Sequence, residues 1–333
     1  MRLYPGLFVA GVLTREMNTP ATPLVEPQEG RDFPPKQNST VGYRVAEVRV
    51  EMNSPPGGPV LTLPPSLAPF QAGAGPAGIT LTVDWADEIP EPSGEVLFDS
   101  GGVWTLHRRG SQFEFVFLSP AIGGGPYKTA VMDGDFRCGH VWLSRRVFGA
   151  RSEVYPLEYP LDELLVIHRL ARGEGVEVHA CGVADEQGRG LLFLGHSGAG
   201  KSTLARLWQS AGRTRILSDD RIILRGDADA PGPGRITMHG TPWHGEARLA
   251  LPISAPLCGV FLLEHAQGRN ELELLPPARA AAELMSRSFL PFHDADGLAF
   301  ILQFFGDLVA EVPANVFRFL PDASALLEME KHG

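Results

Sequence analysis

Cysteine is scarce: Cys138, Cys181 and Cys258 are the three in 333 residues, and none stands in a C-x-x-C spacing. An odd number this far apart supplies neither a disulfide framework nor a structural zinc site, and suits buried thiols in a reducing compartment. Blocks of positive charge are also lacking. The chain sets 29 Lys and Arg against 39 Asp and Glu, for a net charge of −10, so no nucleic-acid partner is expected, although an acidic total leaves room for local positive potential around a phosphate. No run reaches the roughly 18 apolar residues of a spanning helix, so no membrane partner is expected either. The short apolar run Leu7 to Leu13 follows a single Arg2 and lacks the charge lead and small-residue cleavage site of a signal peptide. The cytoplasm is the expected location.

Apolar residues make up 44% of the chain, enough for a sizeable core. They are unevenly spread. Residues 18 to 40 are rich in Pro, Thr, Gln and charge, and 54 to 79 in Pro, Gly and Ala. Residues 1–78 therefore read as an N-terminal extension, partly disordered, with Pro/Gly-rich linkers. From Ile79 short β-prone pieces alternate with turns (ITLTVDW, GEVLFD, GVWTLHRR, QFEFVFLS, YKTAVMD, HVWLSRRVF). They predict a mostly antiparallel β-rich accessory domain over 79–158. Residues 159–333 read as a third region. It opens with a helix in LDELLVIHRLARG and a strand over Val176 to Val183, the latter followed by a polar turn.

The most informative stretch is Leu191 to Thr203, LLFLGHSGAGKST. A buried strand runs into a glycine-rich turn ending in Lys-Ser and then a helix, fitting the Walker A pattern G-x-x-x-x-G-K-[ST]. Backbone N–H groups of Gly195, His196, Ser197, Gly198, Ala199 and Gly200 can turn inward around a phosphate chain, with Thr203 opening the helix behind them. Lys201 can reach the β and γ oxygens, and Ser202 can offer a hydroxyl to Mg²⁺. Further on, Thr214 to Ser218 reads as an apolar strand ending in Asp219 and Asp220. Two carboxylates there could serve a metal ion and an attacking hydroxyl, and neighbours in extended chain diverge, so the two should have different jobs. His239 and His244 lack a third ligand at useful spacing, and the segment from Arg235 to Glu246 reads as a loop near the phosphates.

Four landmarks occur in order: Val178-His179-Ala180, the loop Gly195 to Ser202, Leu217-Ser218-Asp219-Asp220-Arg221, and His239 to Gly245. Together they resemble the HPr kinase/phosphorylase family and its relatives, which share a nucleotide core with ATP-dependent phosphoenolpyruvate carboxykinase. They look most like HPr-kinase-like serine kinases of peptide-modification pathways. The resemblance implies an α+β or mixed α/β P-loop core over 159–333, with ATP and Mg²⁺ as cofactors. It also implies Asp219 as general base, Asp220 with Ser202 at the metal, and His179 beside the reacting phosphates. The expected activity is phosphoryl transfer to a serine hydroxyl of a peptide or small protein, with homo-oligomerisation left open. A kinase of free serine or another small hydroxyl metabolite, and a non-catalytic ATP-binding module, stand as alternatives. The front half carries no such resemblance.

Overall fold

A computed structural model describes residues 39–123, 125–212, 215–226 and 235–332. The run Leu7 to Leu13 and nearly all of the 18–40 connector lie outside them, as does Thr214. The fold is mixed α/β with an N-terminal β-sheet region. Two compact units divide the chain: the first includes Val50–Leu63 and Ala77–Glu158, the second Tyr43–Arg49, Pro64–Pro76 and Tyr159–Gly333.

The first sheet contains β1 (Ser39–Val45), β2 (Val48–Ser54), β3 (Ile79–Ala86), β4 (Glu95–Asp99), β5 (Trp104–Arg109), β6 (Gln112–Leu118), β7 (Pro126–Met132) and β8 (Cys138–Ser144). Their order is β1-β2-β3-β8-β7-β6-β5-β4. Hairpins make β4 to β8 antiparallel, whereas β3 pairs in parallel with both β2 and β8. Residues 39–78 are thus more than a linker: two strands join the sheet, and a 3-10 turn, Pro65–Phe70, buries Leu67 and Phe70. The apolar alternation of HVWLSRRVF ends early, because the chain coils into α1 (Arg145–Phe148) after β8.

From Tyr159 on, the second unit contains α2 (Leu161–Leu170), then β9 (Val176–Ala184), β10 (Gly190–Leu194), α3 (Lys201–Ala211), β11 (Arg215–Ser218) and β12 (Arg221–Gly226). It continues with β13 (Ile236–Gly240), β14 (Ser254–His265), β15 (Glu271–Leu274), α4 (Pro277–Ser286), α5 (Ala295–Glu311), β16 (Ala314–Phe319) and α6 (Ser324–His332). Strand order is β10-β9-β12-β13-β14-β16-β15, with β11 on β9, and β10 also pairs with β14, so part of the path closes on itself. Residues 236–240, expected within a loop, form β13 because the strands on either side supply a ladder that the local sequence does not reveal.

Side-chain parity sorts the core into two layers. Val178, Ala180, Leu192, Leu194, Val260 and Leu262 pack with Leu284 of α4 and Phe304, Phe305 and Leu308 of α5. Cys181, Val183, Leu191, Phe193, Phe261 and Phe317 pack on the opposite side with Leu204 and Trp208 of α3 and Met329 of α6. The unit is a sheet covered on both faces by helices. Helix α2 departs from the expected one-sided pattern: all ten of its residues are buried, Asp162, Glu163, His168 and Arg169 included.

Candidate functional site

The glycine-rich loop leaves the buried end of β10 and closes onto α3. Gly198 and Gly200 take φ of +85° and +101°, a region open to glycine at little cost. A Cβ on Gly200 would also fall 2.6 Å from the Phe319 ring. Lys201 is buried, and its Nζ donates to the carbonyls of Gly195 at 2.7 Å and His196 at 3.4 Å. Burial lowers its pKa, an effect the nearby Asp220 charge opposes. Ala199 N–H donates to the His196 carbonyl at 3.0 Å. His196, Ser197 and Gly198 are exposed, and Ser202 and Thr203 are half-buried. The structure therefore gathers the loop residues from Gly195 to Thr203 at one strand end, with His196, Ser197 and Gly198 facing water.

The two aspartates part company as extended neighbours should. Asp219 is 1% exposed, and its carboxylate is consumed by backbone donors: Gly245 N–H at 2.9 Å and Leu249 N–H at 3.3 Å to Oδ1, Ala247 N–H at 2.8 Å to Oδ2. A Cβ on Gly245 would stand 2.8 Å from Asp219 Oδ2, so this close approach needs glycine. Asp219 thus pins the 245–249 segment, with most of its acceptor capacity turned to backbone N–H groups.

Asp220 faces the other way, toward His179. Arg221 and His179 are register partners on β12 and β9, and Ala180 pairs with Leu194 on β10. This places His179 beside the root of the glycine-rich loop, where its Nε2 meets Asp220 Oδ1 at 2.9 Å. Burial alone would raise the Asp220 carboxyl, but the His179 bond and the charges of Arg221 and Lys201 outweigh it and hold the pKa down at about 2. Burial also lowers His179 against the pull of Asp220. At neutral pH an ionised Asp220 can only accept, so Nε2 carries the imidazole proton and Nδ1 keeps its lone pair.

Behind this pair lies buried charge that motif reading passed over. Arg221 donates from Nη1 to Asp220 Oδ2 and from Nε to Glu163 Oε1 at 2.9 Å, and its guanidinium sits 4.4 Å from the Phe289 ring centroid. Glu177 Oε1 lies 3.7 Å from the same Nε. Burial and then the Glu163 charge push the Glu177 carboxyl well above the ordinary range, against the pull of Arg221. Arg287, buried at the end of α4, links the two halves of the site: its carbonyl accepts from His179 N–H at 2.7 Å and its Nη2 meets His196 Nε2 at 2.9 Å. A usable sequence signal did exist, namely charge inside apolar patterns: Glu163 within LDELLVIHRL and Glu177 within a strand.

The magnesium expectation is corrected. Among the described residues no group of three or more His, Cys, Asp and Glu could hold a metal ion. Both Asp220 oxygens are taken by His179 and Arg221, so Ser202 with Asp220 does not fit a resident Mg²⁺. The expected Walker A kinase centre, assembled around an ATP-bound metal ion held by the chain, is overturned to that extent. Also among the described residues, no helix is long and apolar enough to cross a membrane. The three cysteines are free thiols, Cys181 buried and the others exposed. No family model matches this chain, and no curated protein does.

Proposed function

We propose that the chain transfers the terminal phosphoryl group of ATP to a serine hydroxyl of a peptide or small protein, the chemistry implied by its resemblance to HPr-kinase-like serine kinases. One observation carries the reading: the His179–Asp220 pair stands at the strand end where the glycine-rich loop and Lys201 begin. The loop N–H groups and the positive end of α3 favour a phosphate chain, and Lys201 adds a charge within electrostatic reach of Asp220. The acceptor oxygen attacks the γ-phosphorus, the bond to the β-bridging oxygen breaks, and ADP leaves. His179 Nδ1 takes the hydroxyl proton while Asp220 holds the ring and stabilises the imidazolium, an acid–base contribution of about 10²- to 10⁴-fold. In this reading Asp219 shapes the loop around Trp243 and His244 and is not the base. No step is assigned to a metal ion.

The test is incubation with ATP and candidate peptides, read by mass spectrometry for a phosphopeptide. Asp220→Asn should lower transfer about 100-fold or more while ATP binding persists. Undiminished transfer in that variant would remove the pair from the mechanism. Phosphate appearing on free serine alone would move the acceptor to a small metabolite, and ATP bound without turnover toward any hydroxyl would leave a binding module.

A further inference from the structure

Strands β10, β14 and β16 run parallel, with Leu194 beside Leu262 and Leu262 beside Val316, so all three end at one edge. Ligands of such sheets lie outside the carboxyl ends of their strands. The glycine-rich loop leaves that edge from β10, and residues 266–270 leave it from β14. They are joined where His265 Nε2 meets the Gly198 carbonyl at 3.0 Å. Beside this contact opens a groove of about 710 Å³, within the size range of small-molecule sites.

Its walls are polar. Ala266 is the one aliphatic side chain in a lining otherwise made of glycine, the His265 imidazole, an amide and charged groups. Such a surface does not suit a lipid or an aromatic hydrocarbon. Arg318 is fixed from behind, Nε donating to Glu264 at 3.0 Å and Nη1 to Glu273 at 2.8 Å. Arg269 donates to Glu271 Oε1 at 2.7 Å while keeping 85% of its side chain exposed, against 41% for Glu271. A planar cation open to solvent can lie on the face of a base, and a carboxylate can accept from ribose hydroxyls, as acidic residues do in dinucleotide sites.

We infer that this groove holds the nucleoside end of the triphosphate, with Arg269 toward the base and Glu271 toward the ribose. The inference rests on the phosphoryl-transfer reading above, since the loop must receive the phosphates. It assigns nucleotide selectivity to the segment after β14.

Calorimetric titration of the full chain with ATP and, separately, with inorganic tripolyphosphate tests both levels. Wild type should bind ATP more tightly than tripolyphosphate. The double variant Arg269→Ala, Glu271→Gln should lose about ten-fold in ATP affinity, the scale of one charge-assisted hydrogen bond, and bind tripolyphosphate as before. Both positions are solvent-facing, and an unchanged melting curve would confirm that the variant folds. ATP bound at wild-type strength by the double variant would overturn the subsite alone, as would an equal loss for tripolyphosphate. If neither ligand binds the wild type, the phosphate-loop reading fails and the groove assignment falls with it.

Discussion

The two sheets use charge differently. In the first, β3 buries Ile79, Leu81 and Val83 and leaves the intervening positions half-buried or exposed, and the contact of Asp84 with His140 at 2.8 Å leaves each side chain about one-third exposed. The buried Arg49, Glu114 and Lys128 of this sheet meet carbonyls or a hydroxyl separately. In the second, β9, β10 and β12 are buried almost throughout. Yet β9 carries Glu177 and β12 carries Arg221 into the interior, and Asp219, just after β11, is buried beside them. Exposed pairs are worth about 0–1 kcal/mol, whereas a buried charge persists only when fully partnered. The second sheet therefore gathers its buried charges into a connected site, whereas the first partners its own one at a time.

The sharpest test of this contrast is Asp219→Ala set against Asp84→Ala. Removing Asp219 leaves three N–H groups of the 245–249 segment without their acceptor. At about 1–3 kcal/mol for each buried unsatisfied group, the loss should be several kcal/mol, seen as a lower midpoint in denaturant. Asp84→Ala should cost about 1 kcal/mol or less. Equal costs would mean that Asp219 is dispensable to the loop and would reopen its expected role as base.

Acid should act next, through histidines buried neutral. Burial first, then the neighbouring His293 and Arg172, depress His168 to about 3, against the pull of the Leu164 carbonyl. Burial and Arg225 lower His239 to about 4, with Glu47 opposing. Both folded values lie below the unfolded value of about 6.5, so the unfolded chain binds more protons between them. Stability is complete above pH 6.5 and falls as pH drops, by about 1.4 kcal/mol per unit for each histidine. Asp220, also depressed, gives up its contribution only below pH 3.8, outside that window. Melting midpoints of the wild type from pH 6.5 to 4 should decline, and His168→Gln should flatten the slope. An identical slope would clear His168 of the effect.

Much of the second unit was legible because its signals are local. The β9–β10 hairpin follows from alternation plus a polar turn, and the glycine-rich loop from residue types that only a tight strand-to-helix turn requires. That Asp219 and Asp220 diverge was legible too. Which of them faces the loop was not, because the register of β11 on β9 shifts between Ile216 and Ser218, and one irregular residue reverses side-chain parity. The same limit hid the His179–Asp220 contact, which joins residues 41 apart through cross-strand register. Arg287 was hidden for another reason: a residue at a helix end announces a stop, and only tertiary packing sets it against His196. Between residues 54 and 78, Pro and Gly richness concealed the few apolar anchors, Leu61, Leu67 and Phe70.

The smallest expected effect concerns Glu177, and it separates a buried acid from a buried charge. Neither oxygen of this fully buried carboxyl has a hydrogen-bond donor among the other described groups, unless Glu163 and Glu177 share a proton. Arg221 already has Glu163 at 2.9 Å and Asp220 as partners, leaving Glu177 the more distant oxygen. A protonated carboxyl and a carboxamide have nearly the same shape, so Glu177→Gln should change stability by less than about 1.5 kcal/mol, the usual cost of an isosteric replacement. With burial pushing the Glu177 carboxyl upward, the change should also stay constant with pH across the neutral range. A penalty of several kcal/mol that grows with pH would show Glu177 ionised in the fold, and Arg221 would then be shared among three anions instead of two.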